Sequence, residues 1–142
     1  MMRPVLRQTW LWAPLVLYAG LIWYMSSRSI VPGSSFFTFP FGDKVGHALM
    51  FGVLAALVWR ALRGSFELSP SAALIATTIL LAVVYGGIDE IHQSYVPGRS
   101  SDAWDLAADA LGAMAITFSL YFFAASREKR LEEKARDPSP EV

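Results

Sequence analysis

The chain has 142 residues, 54% hydrophobic and 17% charged, with 12 basic against 12 acidic side chains, and its mean hydropathy is +0.40. That composition excludes a disordered chain, and the charge balance excludes a nucleic-acid binder working through a strong net positive field. The absence of cysteine removes disulfide frameworks, thiolate metal sites and cysteine nucleophiles together.

In chain order, residues 9–27, 45–59, 71–88 and 110–126 hold no Asp, Glu, Lys or Arg, over 19, 15, 18 and 17 residues. A hydrocarbon core about 30 Å thick needs ~20 mostly apolar helical residues, and three of the four stretches approach that length. The second reaches it if Arg60 snorkels at one end and Asp43 and Lys44 sit in the interface at the other. A soluble bundle would need a polar stripe on every helix, and residues 74–84 offer only Thr77 and Thr78. The expected fold is therefore all-α and polytopic, a bundle of four transmembrane helices over residues 1–126 followed by a charged tail, 127–142. The first stretch follows Arg3 and Arg7 as a signal peptide does. It ends on Trp23, Tyr24 and Met25 in place of a small-residue cleavage site, so it reads as an uncleaved first helix.

Between the first two spans lie Pro32-Gly33 and the tract Phe36-Phe37-Thr38-Phe39-Pro40-Phe41, suited either to the headgroup region or to a plug. Between the last two, Pro97-Gly98 predicts a tight turn with Gly98 at positive φ, holding Arg99 over the bundle mouth, and Ser101 or Asp102 can cap the fourth helix. The tail is expected to continue as helix until Pro138-Ser139-Pro140.

Lys and Arg are unevenly placed. Arg3, Arg7, Arg60, Arg63, Arg127, Lys129, Arg130, Lys134 and Arg136 fall on one side, and Arg28, Lys44 and Arg99 on the other. Nine against three predicts both termini in the cytoplasm, with the first and third loops outside. The acidic residues of the spans fall at the outer ends: Asp43, Asp89, Glu90, Asp102, Asp105 and Asp109, joined by His47, His92 and Gln93. Asp43 and His47 are four apart, Asp89 is three from His92 and four from Gln93, and Asp102, Asp105 and Asp109 continue to Gly112, so each helix offers one polar face. Asp109 lies about 6 Å of helical rise inside Asp105 and must face the bundle interior.

Asp43-Lys44-x-x-His47, Asp89-Glu90-x-x-Gln93, Pro97-Gly98-Arg99, and Asp105 with Asp109-x-x-Gly112 occur in that order. This constellation resembles the VanZ-like family of bacterial integral membrane proteins over roughly residues 14–125. In that family the fourth-helix Asp is often followed four residues later by Asn, where this chain has Asp109. The resemblance implies a multi-pass protein of the bacterial plasma membrane, associated through the family's namesake with resistance to the glycopeptide teicoplanin.

Three functions fit these residues. The first is binding or modification of an envelope lipid or lipid-linked precursor through its phosphate head group, with Arg28, Lys44, Gln93 and Arg99 as ligand-binding residues. The second is a metal-assisted hydrolase or transferase on such a lipid. Its catalytic candidates are Asp43, His47, Asp89, Glu90, Asp105 and Asp109, and a divalent metal would have Asp43, His47, Asp89 and Glu90 as candidate ligands. The third is a small transporter or interaction subunit. Membrane lipids are the expected partners, nucleic acid is not, and small residues such as Gly46, Gly52, Gly86, Gly87, Ala110 and Gly112 would permit close packing within the chain or in an oligomer.

Overall fold

The computed structural model describes residues 4–29 and 40–136. Four helices account for most of them: α1 (Pro4–Ser26), α2 (Gly42–Phe66), α3 (Ala72–Gln93) and α4 (Ala103–Arg136). Each is long and apolar enough to cross a membrane, and no strand occurs among the described residues. α2 extends beyond its uncharged stretch at both ends, so its 25 residues span about 37 Å at 1.5 Å per residue. α4 runs without a break into the charged tail. Of the aromatic tract before α2, Phe36, Phe37 and Phe39 lie outside the described residues, as do Pro138, Ser139 and Pro140.

The helices run alternately up and down, with the C-terminal ends of α1 and α3 beside the N-terminal ends of α2 and α4. α4 packs on α2 and α3, whereas α1 lies mainly against α2 and buries only Ile22 and Ser26. Small residues set how closely the inner helices approach. A Cβ on Gly112 would lie 1.9 Å from the carbonyl oxygen of Ala48, so α4 rests directly on the backbone of α2. Further along, Ala55, Ala82 and Ala113 form a buried layer shared by α2, α3 and α4. In lipid there is little hydrophobic drive between helices, and such close contact supplies the dispersion energy that holds them.

α1 is joined to this core by polar side chains at intervals. Tyr18 donates to the Met50 carbonyl at 3.2 Å and Tyr85 to the Ala19 carbonyl at 2.6 Å. Pro14 lies within α1 and has no N–H, which deprives the Trp10 carbonyl of its helical donor. Arg60 of α2 replaces it, donating to the carbonyls of Trp10 at 3.0 Å and Leu11 at 3.1 Å. Arg60 thus fixes the helix at its proline while its charge stays near the end of α2.

The Gly112 contact predicts a sharp contrast between two glycines. Gly112→Ala is expected to lower stability by about 1–3 kcal/mol or more, because the Ala48 backbone cannot rotate out of the way. Gly87→Ala, where nothing lies within 4 Å of the added carbon, should leave stability unchanged or raise it. Thermal unfolding of both variants in the same detergent checks the pair.

Candidate functional site

The polar side chains gather at one end of the bundle because each helix brings one hydrophilic face there, and the face of α3 divides. Asp89 and Glu90 are adjacent, so they point about 100° apart. Asp89 turns toward α1: its Oδ2 accepts from Ser26 Oγ at 2.7 Å and Gln93 Nε2 at 2.8 Å. Glu90 turns toward the start of α4, where its Oε2 accepts the Asp102 N–H at 2.8 Å. His92 takes a third direction, stacked on Trp23 with ring centroids 3.9 Å apart and its Nε2 at 2.9 Å from Ser27 Oγ. The polar residues at this end therefore form a group against α1 (Asp89, Gln93, Ser26) and a group between α2, α3 and α4.

The second group is organised by two residues of α2. Lys44 Nζ lies 2.5 Å from Asp105 Oδ1, 2.6 Å from Asp102 Oδ2 and 3.0 Å from Asp43 Oδ2. One ammonium thus donates to Asp102 and Asp105 at the entry to α4 and forms an ion pair with Asp43 on α2. One turn further in, His47 Nδ1 is 3.0 Å from Asp109 Oδ1, and its Nε2 is 3.7 Å from Asp105 Oδ2. Asp109 is 1% exposed and faces the interior, and Gly86 of α3 makes room for it: a Cβ there would stand 2.9 Å from Asp109 Oδ2. Asp43, in contrast, is largely exposed at the rim.

The turn over this end has the geometry its sequence dictates. Arg99 N–H donates to the Val96 carbonyl at 3.1 Å across Pro97-Gly98, with Gly98 at φ 81°, as a type II turn requires. Ser29, following α1, donates to the Pro97 carbonyl at 2.7 Å and anchors the turn from the other side. Asp102 caps α4, accepting the Trp104 N–H on Oδ1 at 2.9 Å while Oδ2 holds Lys44. The Lys44 ammonium, and after it the Trp104 N–H, holds the Asp102 carboxyl below its ordinary value. Its contribution to the folded state is therefore present at neutral pH and is lost as pH falls through that lowered value.

Among the ligand-binding candidates, Lys44 is taken up by three carboxylates and Gln93 by Asp89. Arg28 is exposed, donating to the Tyr24 hydroxyl with its guanidinium 4.5 Å above the Tyr24 ring. Arg99 has no acceptor for its guanidinium among the described residues, although its Nε is shielded from solvent. Among the metal-ligand candidates, His47 and Glu90 come together with Asp105: one ligand atom from each lies within 4.8 Å of the others. Asp43 and Asp89 lie outside this trio, at the rim and against α1. The residues that sequence reading passed over are Ser26, Ser27 and Ser29 at the end of α1, whose only signal was hydroxyls closing an apolar stretch; Gly86, expected only as a packing residue, makes room for Asp109.

The VanZ/LLP1 family model matches residues 8–124, and the chain belongs to that family. No curated protein and no solved structure matches it.

The threefold use of Lys44 predicts a coupling that a double-mutant cycle can measure. Lys44→Met leaves Asp105 and Asp102 facing each other without a cation and is expected to cost about 1–3 kcal/mol, reduced from the fully buried case because Asp102 is partly exposed. Asp105→Asn in the Lys44→Met background should recover part of that loss, read as thermal stability in detergent. Additive single effects would mean that the pair is not coupled.

Proposed function

We propose that this multi-pass membrane protein binds the phosphate-bearing head group of an envelope lipid at the polar end of its bundle, in the outer leaflet of a bacterial plasma membrane. The observation that carries the reading is Arg99. At this end, Lys44 is saturated with carboxylates and Arg28 is turned onto Tyr24, whereas Arg99 sits on a rigid turn over the bundle mouth with no acceptor among the described residues. A guanidinium can take a phosphate bidentately, and charge-assisted hydrogen bonds in a partly desolvated position are strong. Tyr95 and Trp104, both exposed on either side of the turn, suit the headgroup level, and the exposed Ile91 continues an apolar face along which an acyl chain can lie. The excess of Lys and Arg at the opposite end supports the assignment of the polar end to the outside and both termini to the cytoplasm. A lipid-linked envelope precursor held in this way would connect the chain to glycopeptide susceptibility, as its family resemblance implies.

Arg99→Ala is expected to reduce retention of a phosphate-bearing lipid by about 10–100-fold, the range of 1.5–3 kcal/mol for charge-assisted bonds, while thermal stability stays near that of the unmodified chain. Arg99→Lys keeps the charge, loses the fork, and should fall between the two. Lipid retained through detergent purification and counted by mass spectrometry checks this; unchanged retention in Arg99→Ala refutes the role of this residue. For orientation, cysteines introduced as Ser100→Cys and Ser69→Cys should react with an impermeant thiol reagent from outside at position 100 and not at position 69.

A further inference from the structure

We infer that His47, Glu90 and Asp105 bind a divalent transition-metal ion, with Asp109 as the carboxylate that orients the imidazole. The three residues come from α2, α3 and α4, and one ligand atom from each lies within 4.8 Å of the others. The geometry inside this trio points to a cation. His47 Nδ1 lies 3.0 Å from Asp109 Oδ1, and in the Nδ1–H tautomer that this carboxylate favours, the Nε2 lone pair faces Asp105 Oδ2, 3.7 Å away. Lys44 occupies the other oxygen of Asp105, so Oδ2 is the one left for a ligand. Two acceptors face each other across a gap close to the separation of neighbouring ligands around a metal, about 3–3.5 Å for bonds of 2.0–2.2 Å.

Glu90 supplies an independent indication. Its carboxylate is 5% exposed, its Oε2 accepts the Asp102 N–H, and its Oε1 is buried with no hydrogen-bond partner among the described residues. An orphaned carboxylate oxygen at the end of a membrane bundle costs several kcal/mol unless something answers it. Nearby charge does not. With His47 neutral, Asp43, Glu90, Asp102, Asp105 and Asp109 carry five negative charges against the one of Lys44, which is already engaged by Asp43, Asp102 and Asp105. A dication between His47, Glu90 and Asp105 would offset half of the four negative charges that remain and bring a cation to the Glu90 carboxylate.

The donor set narrows the ion. One imidazole nitrogen with two carboxylates suits Zn²⁺ or Mn²⁺ better than Ca²⁺ or Mg²⁺, which take oxygen throughout. A hydrogen bond donated by the far ring nitrogen to a carboxylate such as Asp109 is the arrangement by which metal-bound histidines are held in tautomer and orientation. Three protein ligands leave at least one position open for water or for an anionic oxygen. The site does not depend on the assignment of Arg99.

The test uses the full chain without a polyhistidine tag, purified in detergent, stripped with EDTA, loaded with Zn²⁺ or Mn²⁺ and desalted. Elemental analysis should find about one ion per chain, and pulsed electron paramagnetic resonance of the Mn²⁺ form should show coupling to an imidazole nitrogen. His47→Ala and Glu90→Gln are expected to lose at least tenfold in affinity, and Asp109→Asn about 10–100-fold. Asp89→Asn, adjacent to Glu90 in sequence but turned toward α1, and Arg99→Lys should load as the unmodified chain does. Absence of nitrogen coupling in the unmodified chain, or undiminished binding in folded His47→Ala and Glu90→Gln, overturns the site. If those two variants do not fold, the spectrum of the unmodified chain decides alone. Loss of metal binding would leave lipid retention through Arg99 to be judged separately, since Arg99→Lys separates the two readouts.

Discussion

The cost of placing carboxylates at the end of a membrane bundle organises everything around them. Asp105 and Asp109 lie on one face of α4, buried, where an ionised group is costly without a partner. The partners available are Lys44 and His47, three residues apart on α2, within one residue of the four that separate the two aspartates along α4. Pairing them fixes the relative height and rotation of α2 and α4. Glu90 then fixes α3 to the start of α4 through the Asp102 backbone, and Lys44 returns to the Asp102 side chain. The polar end is a lock between three helices as well as a candidate site.

That lock requires the helices to be close, and the apolar part of the sequence is written accordingly. Gly112, one turn inward from Asp109, brings the α4 backbone against Ala48, one residue from His47. Gly86 opens the space that the Asp109 carboxylate occupies. A larger side chain at either position would separate the very groups whose charges need one another. Electrostatic pairing and close packing are therefore one constraint expressed in two residue classes, acidic and small, at neighbouring positions on the same helices.

Much of this was legible in the chain. Four uncharged stretches gave the helices, and residues three, four and seven apart gave the faces, because helical periodicity alone decides which side chains share a side. The Pro97-Gly98 turn and the Asp102 cap followed from local backbone chemistry. Less legible was how one helix serves two neighbours. Asp89 and Glu90 read together as one acidic pair, yet the 100° between consecutive residues sends one to α1 and the other to α4. Separating them requires knowing where α1 packs, and α1 brings no charged residue to the polar end from which to infer it: it enters there through Ser26 and, just past its end, Ser27. The Pro14 to Arg60 bond was hidden for a similar reason. The proline announces an unsatisfied carbonyl, but its donor lies 46 residues further on, in another helix.

The two ends of the bundle use charge differently. The end opposite the polar cluster also carries arginines, and a cleft of about 650 Å³ opens there between Arg7, Arg60, Arg63, Glu67 and Glu128. Its charges, however, answer one another: Arg7 pairs with Glu67 at 3.0 Å, Arg63 with Glu128 at 2.6 Å, and Arg60 is committed to the carbonyls of α1. These are half-exposed pairs of modest worth that close a helix end. At the polar end the balance is different, because Asp89 Oδ1, Glu90 Oε1, Asp109 Oδ2 and Arg99 Nε are buried there without partners among the described residues. Unanswered polar atoms destabilise a protein that keeps them for packing alone. Apart from the Thr78 and Thr117 hydroxyls within the spans, these are the buried unpartnered side-chain atoms among the described residues, and their gathering at one end, beside carboxylates that are paired, is the observation on which the proposed site rests.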